Sequence, residues 1–142
     1  MNRKNVETAI KIMQRSRNKV SMLEWQSTSD SGSIVFNEQE FHQCGNTACF
    51  AGHIAISPEF HADGGDVTPP GAPFFKSVHG EYAISAWLER GLELAESLVY
   101  GDCDQRLLSP DTFSCFYNKR WGDVTSEDVI AKLQLILDGQ LT

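Results

Sequence analysis

Val6, Ala9, Ile10 and Met13 recur at i, i+3, i+4 and i+7, so they form one stripe of a helix over about residues 6–18, which Asn5 can cap. Lys4, Lys11, Arg15 and Lys19 keep the same period on the opposite side. The pattern predicts a helix that docks its apolar face and leaves its basic face solvated. After "VSMLEW" the polar run "QSTSDSGS" has no apolar period and predicts an exposed loop; "SIVF" has the composition of a short strand. "NTACFAGHIAI" then predicts a helix of about ten residues, capped by Asn46 or Thr47 and stopped before Pro58.

Residues 57–80 hold four of the five prolines and four of the eleven glycines. They predict a long Pro/Gly-rich loop, which is either a functional mobile segment or a connector tacked down by Phe60, Phe74 and Phe75. "EYAISAWLER" predicts a helix ended by Gly91, and "LELAESLVYG" a second one closed by Gly101, together a helical hairpin. "DTFSCFYNKRW" fits a strand or an aromatic-rich turn equally well. At the end of the chain Thr125 and Asp128 have capping-box spacing, Val124 and Val129 stand at staple positions, and Gly139 follows the last turn. Val129, Ile130, Leu133, Ile136 and Leu137 give that helix a wide apolar face. The fold expected is therefore mainly α: a single compact domain, 1–142, of about five helices. It would have a basic helix in 1–20, a loop at 57–80 and room for a short strand pair.

A chain of 142 residues with 41% hydrophobic and 22% charged residues is ordinary globular material with enough apolar side chains for one core. No apolar run approaches the length of a membrane span, and the charged N-terminus lacks the apolar region of a signal peptide, so a cytoplasmic location is expected. In a reducing compartment Cys44, Cys49, Cys103 and Cys115 would be thiols or metal ligands. Charge changes the picture more. Residues 1–20 hold six basic side chains and one acidic, net +5; residues 21–142 hold six basic and eighteen acidic, net −12. A body of that sign repels phosphates, which disfavours direct nucleic-acid binding, and it attracts basic protein grooves.

Three readings compete for "HQCGNTACFAGHIAI". His42, Cys44, Cys49 and His53 are suitable atoms for tetrahedral zinc, but H-x-C-x4-C-x3-H is not a common structural-zinc spacing. Cys49 in a first helical turn, with His53 one turn later, could be a nucleophile and its base, although no orienting group or oxyanion site is evident. Packing needs neither. Ala48, Ala51, Gly52 and Ala55 would admit a neighbouring helix, while Phe50, Ile54 and Ile56 fill space elsewhere. Packing is the reading taken here, with neither a metal nor a cofactor expected.

"CGNTACFAGHIAI" resembles the C-G-T-x-A-C-x-A-G-W-A pattern of small uncharacterised proteins of phages, prophages and actinobacteria. "SMLEW" is similar to their Met-x-x-Trp element, "AISAWLERGLELAESLVYG" to their A-x-x-W-L-G-L stretch, and "VTSEDVIAKLQLIL" to their closing helix. His53 stands where the pattern has Trp, which suits a space-filling side chain. The resemblance implies no catalytic residues; it implies an accessory factor that binds a host protein. The function expected is a non-enzymatic acidic binding factor of phage type. It would block a basic host defence or nucleic-acid-handling complex, in the manner of an anti-restriction or anti-CRISPR protein, with Glu89, Glu93, Glu96, Asp102 and Asp104 as the binding patch. The alternatives are a cysteine-dependent enzyme using Cys49 and His53, and a zinc-stabilised interaction module.

Overall fold

The computed structural model describes residues 2–17, 19–22, 25–26, 35–42, 46–69, 71–100, 111 and 113–141. Two long helices form the frame, α1 (Arg3–Arg15) and α7 (Ser126–Leu137). They run antiparallel: the Arg3 guanidinium donates to the Leu137 carbonyl at 3.0 Å, and at the other end the Ser126 hydroxyl donates to the Met13 carbonyl at 2.6 Å. The expected stripe of α1 is buried, and Ile12 with it, because α1 also packs against the middle of the chain. Its cap is Asn2, whose side chain accepts from the Asn5 N–H. Asn5 lies inside the helix, 7% exposed, and its side-chain amide donates to the Trp87 carbonyl at 2.8 Å. An amide that reaches a buried carbonyl satisfies two polar groups at once, so the tertiary bond prevails over local capping preference.

The closing helix matches its expected signals. Thr125 and Asp128 form the reciprocal capping box, and Val124 and Val129 are buried at 4% and 0% exposure. Gly139, at φ 75°, ends it: its N–H reaches the Ile136 carbonyl and the Gln140 N–H the Leu135 carbonyl, the paired bonds of a Schellman end. Between the frame helices lie α2 (Glu38–Phe41), α3 (Phe50–Ile56), α4 (Pro58–Ala62), α5 (Gly80–Leu88) and α6 (Leu92–Tyr100). The last two form the expected hairpin. Glu89, left-handed at φ 53°, closes α5 in place of Gly91.

Residues 57–80 are structured. Pro58 starts α4 at its first position, where the missing N–H costs nothing, and the Ser57 hydroxyl accepts from Phe60 N–H. An antiparallel sheet follows in the order β1 (Asp66–Thr68), β2 (Ala72–Phe75), β3 (Val78–His79). Lys76 and Ser77 both have positive φ in the two-residue turn between β2 and β3. Such turns are usually signalled by Asn-Gly, which is why this hairpin was invisible in the sequence. Pro73 opposes Val67, and pairing with β3 begins only at Phe74, so its lack of a donor is harmless. Phe60 and Phe75 pack together at 5.7 Å, which favours the tacked-down connector over a mobile loop. A second hairpin, β4 (Phe113–Ser114) and β5 (Lys119–Arg120), reverses through Asn118 at φ 57° and leads into a 3-10 turn at Trp121–Asp123. The aromatic stretch is thus strand and turn together. Val35 and Phe36 are not in a strand, and the rest of "SIVF" lies outside the described residues.

One core joins these elements, with Trp87 near its centre. Its indole N–H donates to Asp63 at 2.9 Å and its ring meets Phe60 edge-on at 5.5 Å. A smaller apolar cluster of Phe41, Ala48, Ala55, Ile56 and Val67 lies beneath α2 and α3. Among the described residues, no helix is long and apolar enough to cross a membrane.

Candidate functional site

The small-residue segment is held by backbone bonds. Val20 and Ala48 form a parallel bridge, with Ala48 N–H donating to the Lys19 carbonyl and Ser21 N–H to the Ala48 carbonyl, each at 3.0 Å. That bridge occupies the stretch expected to be the first helical turn. The helix therefore begins at Phe50, is seven residues long, and has Cys49 as its cap rather than Asn46 or Thr47. Asn46 is buried instead, its side-chain amide donating to the Phe41 carbonyl at 3.0 Å. All seven residues of α3 are buried. α3 packs against α1 and α5, as small side chains allow, and Gly52 also admits the backbone at Trp25: a Cβ built on Gly52 would lie 1.8 Å from the Trp25 carbonyl oxygen.

Cys49 is 3% exposed, and its sulfur accepts from Gly52 N–H at 3.4 Å. Burial pushes its thiol up to about 11, so it stays protonated at neutral pH. His53, 1% exposed, donates from Nε2 to the Lys19 carbonyl at 2.8 Å. That bond fixes the tautomer and leaves Nδ1 as a bare lone pair, which has no hydrogen-bond partner among the described residues. Burial brings this imidazole down to about 4, so it is neutral. The His53 backbone N–H donates to the Cys49 carbonyl at 3.0 Å, but among the described residues no hydrogen bond joins the two side chains. His42 follows α2 and is half-buried; its ring centroid is 6.2 Å from that of His53, and its Nε2 is buried without a partner. Phe41 edges both rings, at 5.5 Å from His53 and 6.1 Å from His42. Cys44 lies outside the described residues, among which no group of three or more His, Cys, Asp or Glu is placed to hold a metal.

Arg15 departs from the expected solvated basic face. Its guanidinium bridges Glu38 and Glu59, with Nε to Glu38 Oε1 and Nη1 to Glu59 Oε2 both at 2.6 Å. Glu59 and Glu38 together raise the Arg15 pKa further, and Glu59 is lowered by the same contact. The bridge ties α1 to α2 and α4 beside the His42–His53 pair. Lys4 and Lys11 remain exposed, as the pattern predicts.

Of the expected acidic patch, Glu89 and Glu93 are exposed and Glu96 is half-buried at the elbow between α5 and α6; Asp102 and Asp104 lie outside the described residues. The elbow also receives Arg90, whose Nη2 donates to the Leu141 carbonyl at 2.6 Å, and the first turn of α1, through Asn2 N–H to the Leu88 carbonyl. Its field is therefore less negative than the sequence spacing alone implies. Glu81, 4% exposed in the first turn of α5, is not among the residues the pattern singles out; it accepts from the Tyr100 hydroxyl at 2.9 Å. A carboxylate at a helix start is favoured by the helix dipole, and its spacing to Tyr100 is the sole trace it leaves in the chain. No known protein family, curated protein or solved structure matches this chain.

Proposed function

We propose that this protein is a non-enzymatic binding factor whose acidic exterior engages a basic groove of a partner protein, one that handles nucleic acid or serves in host defence. The observation that supports the reading is the placement of charge. Residues 21–142 carry a net −12, and Arg3, Arg15, Arg17, Lys119 and Arg120 each pair with an acid of this chain. These pairs leave the chain's net charge negative, and Glu89 lies exposed at the elbow between α5 and α6. Such a surface steers a basic partner at low salt and releases it as salt screens the attraction.

The test is capture from cell extract at low ionic strength by the immobilised chain, compared with a Glu89→Lys/Glu93→Lys variant of unchanged Tm. The expected result is a basic nucleic-acid-handling protein that is retained, eluted by salt, and lost with the variant. Equal retention by the variant, or no basic protein retained, overturns the reading.

A further inference from the structure

We propose that His42 and His53 form a two-imidazole site for a d-block divalent cation of the zinc, nickel or copper kind. The inference is independent of the acidic-surface reading. It begins from two nitrogen atoms with nothing to bond: His53 Nδ1 and His42 Nε2 are both buried, both lack a partner, and belong to adjacent rings 6.2 Å apart. A buried polar atom without a partner costs free energy, so two of them side by side call for an explanation. Satisfying each from within the protein would need a donor, and none is supplied among the described residues.

The arrangement around His53 is that of a metal ligand. Its far nitrogen donates to a backbone carbonyl, which orients the ring and leaves the other nitrogen unprotonated. Two imidazoles on one tetrahedral ion, at about 2.0–2.1 Å each, have centroids about 5 Å apart, so the rings need approach by only about 1 Å. His42 follows the last residue of α2, with its N–H on the Glu38 carbonyl at 3.0 Å, and its half-buried side chain is less enclosed than that of His53.

The local charge does not oppose the ion. Lys19 and Arg15 act on His42 as positive charges, but Glu38 and Glu59 bind Arg15, and Glu38 acts on His42 with the opposite sign. These four groups sum to zero. Imidazole selects borderline cations over magnesium and calcium, which prefer oxygen. Among the described residues no third His, Cys, Asp or Glu joins the pair.

The test uses full-length protein without a histidine tag, stripped with chelator and titrated with zinc by calorimetry, alongside His42→Gln and His53→Gln. The expected result is one ion per chain, a raised Tm on loading, and affinity weakened at least about tenfold by either substitution. Nitrogen chemical shifts should move at His53 Nδ1 and His42 Nε2, while His53 Nε2 keeps its proton. His42 is half-buried at the end of a short helix, so its variant remains folded and decides the matter even where His53→Gln does not. No binding by the parent chain, or binding undiminished in His42→Gln, overturns the proposal.

Discussion

Replacing Gly52 with alanine adds one methyl group to a helix, a change that usually stabilises. Here the sign should reverse. The new Cβ would lie 1.8 Å from the Trp25 carbonyl oxygen, 2.8 Å from its carbon and 3.0 Å from the Ala48 Cβ. To regain ordinary contact near 3.5 Å, one of the two chains must give by more than about 1.5 Å. Neither is free to do so. Trp25 meets Tyr100 edge-on at 6.1 Å, the Gln26 side chain bonds both ways to the Val35 backbone, and the Val20–Ala48 bridge holds the start of the α3 segment. Overpacking of this kind costs about 1–3 kcal/mol, and backbone against backbone belongs at the upper end. Helix propensity returns at most about 1 kcal/mol. The net is a loss of about 2 kcal/mol, which for a chain of this size lowers Tm by roughly 4–8 °C. Thermal and urea unfolding measure it. Gly91→Ala makes the same chemical change where nothing lies within 4 Å, at a position whose carbonyl opens α6. It should cost less than about 1 kcal/mol. A Gly52→Ala protein as stable as its parent would refute the packing account of the whole small-residue segment.

Three further outcomes are expected. His53 takes up its proton near 4 when folded and near 6.5 when unfolded, so the unfolded chain binds more protons between those values and stability falls as pH drops through that window. The loss approaches about 3 kcal/mol, and the slope of urea midpoint against pH should flatten in His53→Gln. Asn5→Ala removes the buried donor to the Trp87 carbonyl and should cost about 1–3 kcal/mol by urea denaturation, with Lys11→Ala on the exposed face of the same helix close to neutral. Cys115 is exposed and Cys49 is buried with a raised thiol; alkylation followed by peptide mapping should label Cys115 in the native protein and Cys49 only on unfolding. Prompt native labelling of Cys49 would contradict the structure and revive the nucleophile reading.

The elements legible in the sequence were those whose signals are local. α7 carries a capping box, a staple and a terminal glycine within fifteen residues of one another, and each acts where it stands. The apolar stripe of α1 was equally plain, while its cap was misplaced because Asn5 answers to Trp87, 82 positions away. The sheet at 66–79 escaped because Lys76 and Ser77 make its turn without the glycine that would announce it, and because prolines read as breakers when one of them starts a helix and another sits in a strand. The candidate site was legible in part. Residue type pointed to His42, Cys49 and His53; nothing in their spacing told that Cys49 would cap its own helix while His53 found the Lys19 carbonyl. Partners that distant in sequence are set by how the segments cross, which periodicity does not encode.

The antiparallel seating of α1 on α7 governs how the molecule comes into being. Synthesis releases Arg3–Arg15 more than a hundred residues before Ser126–Leu137, so α1 leaves the ribosome with one wall bare until α7 covers it. Until then Val6, Ala9 and Met13 are sticky surface. A chain that stops short of residue 126 should accordingly not be a smaller version of this protein but a client for chaperones and proteases.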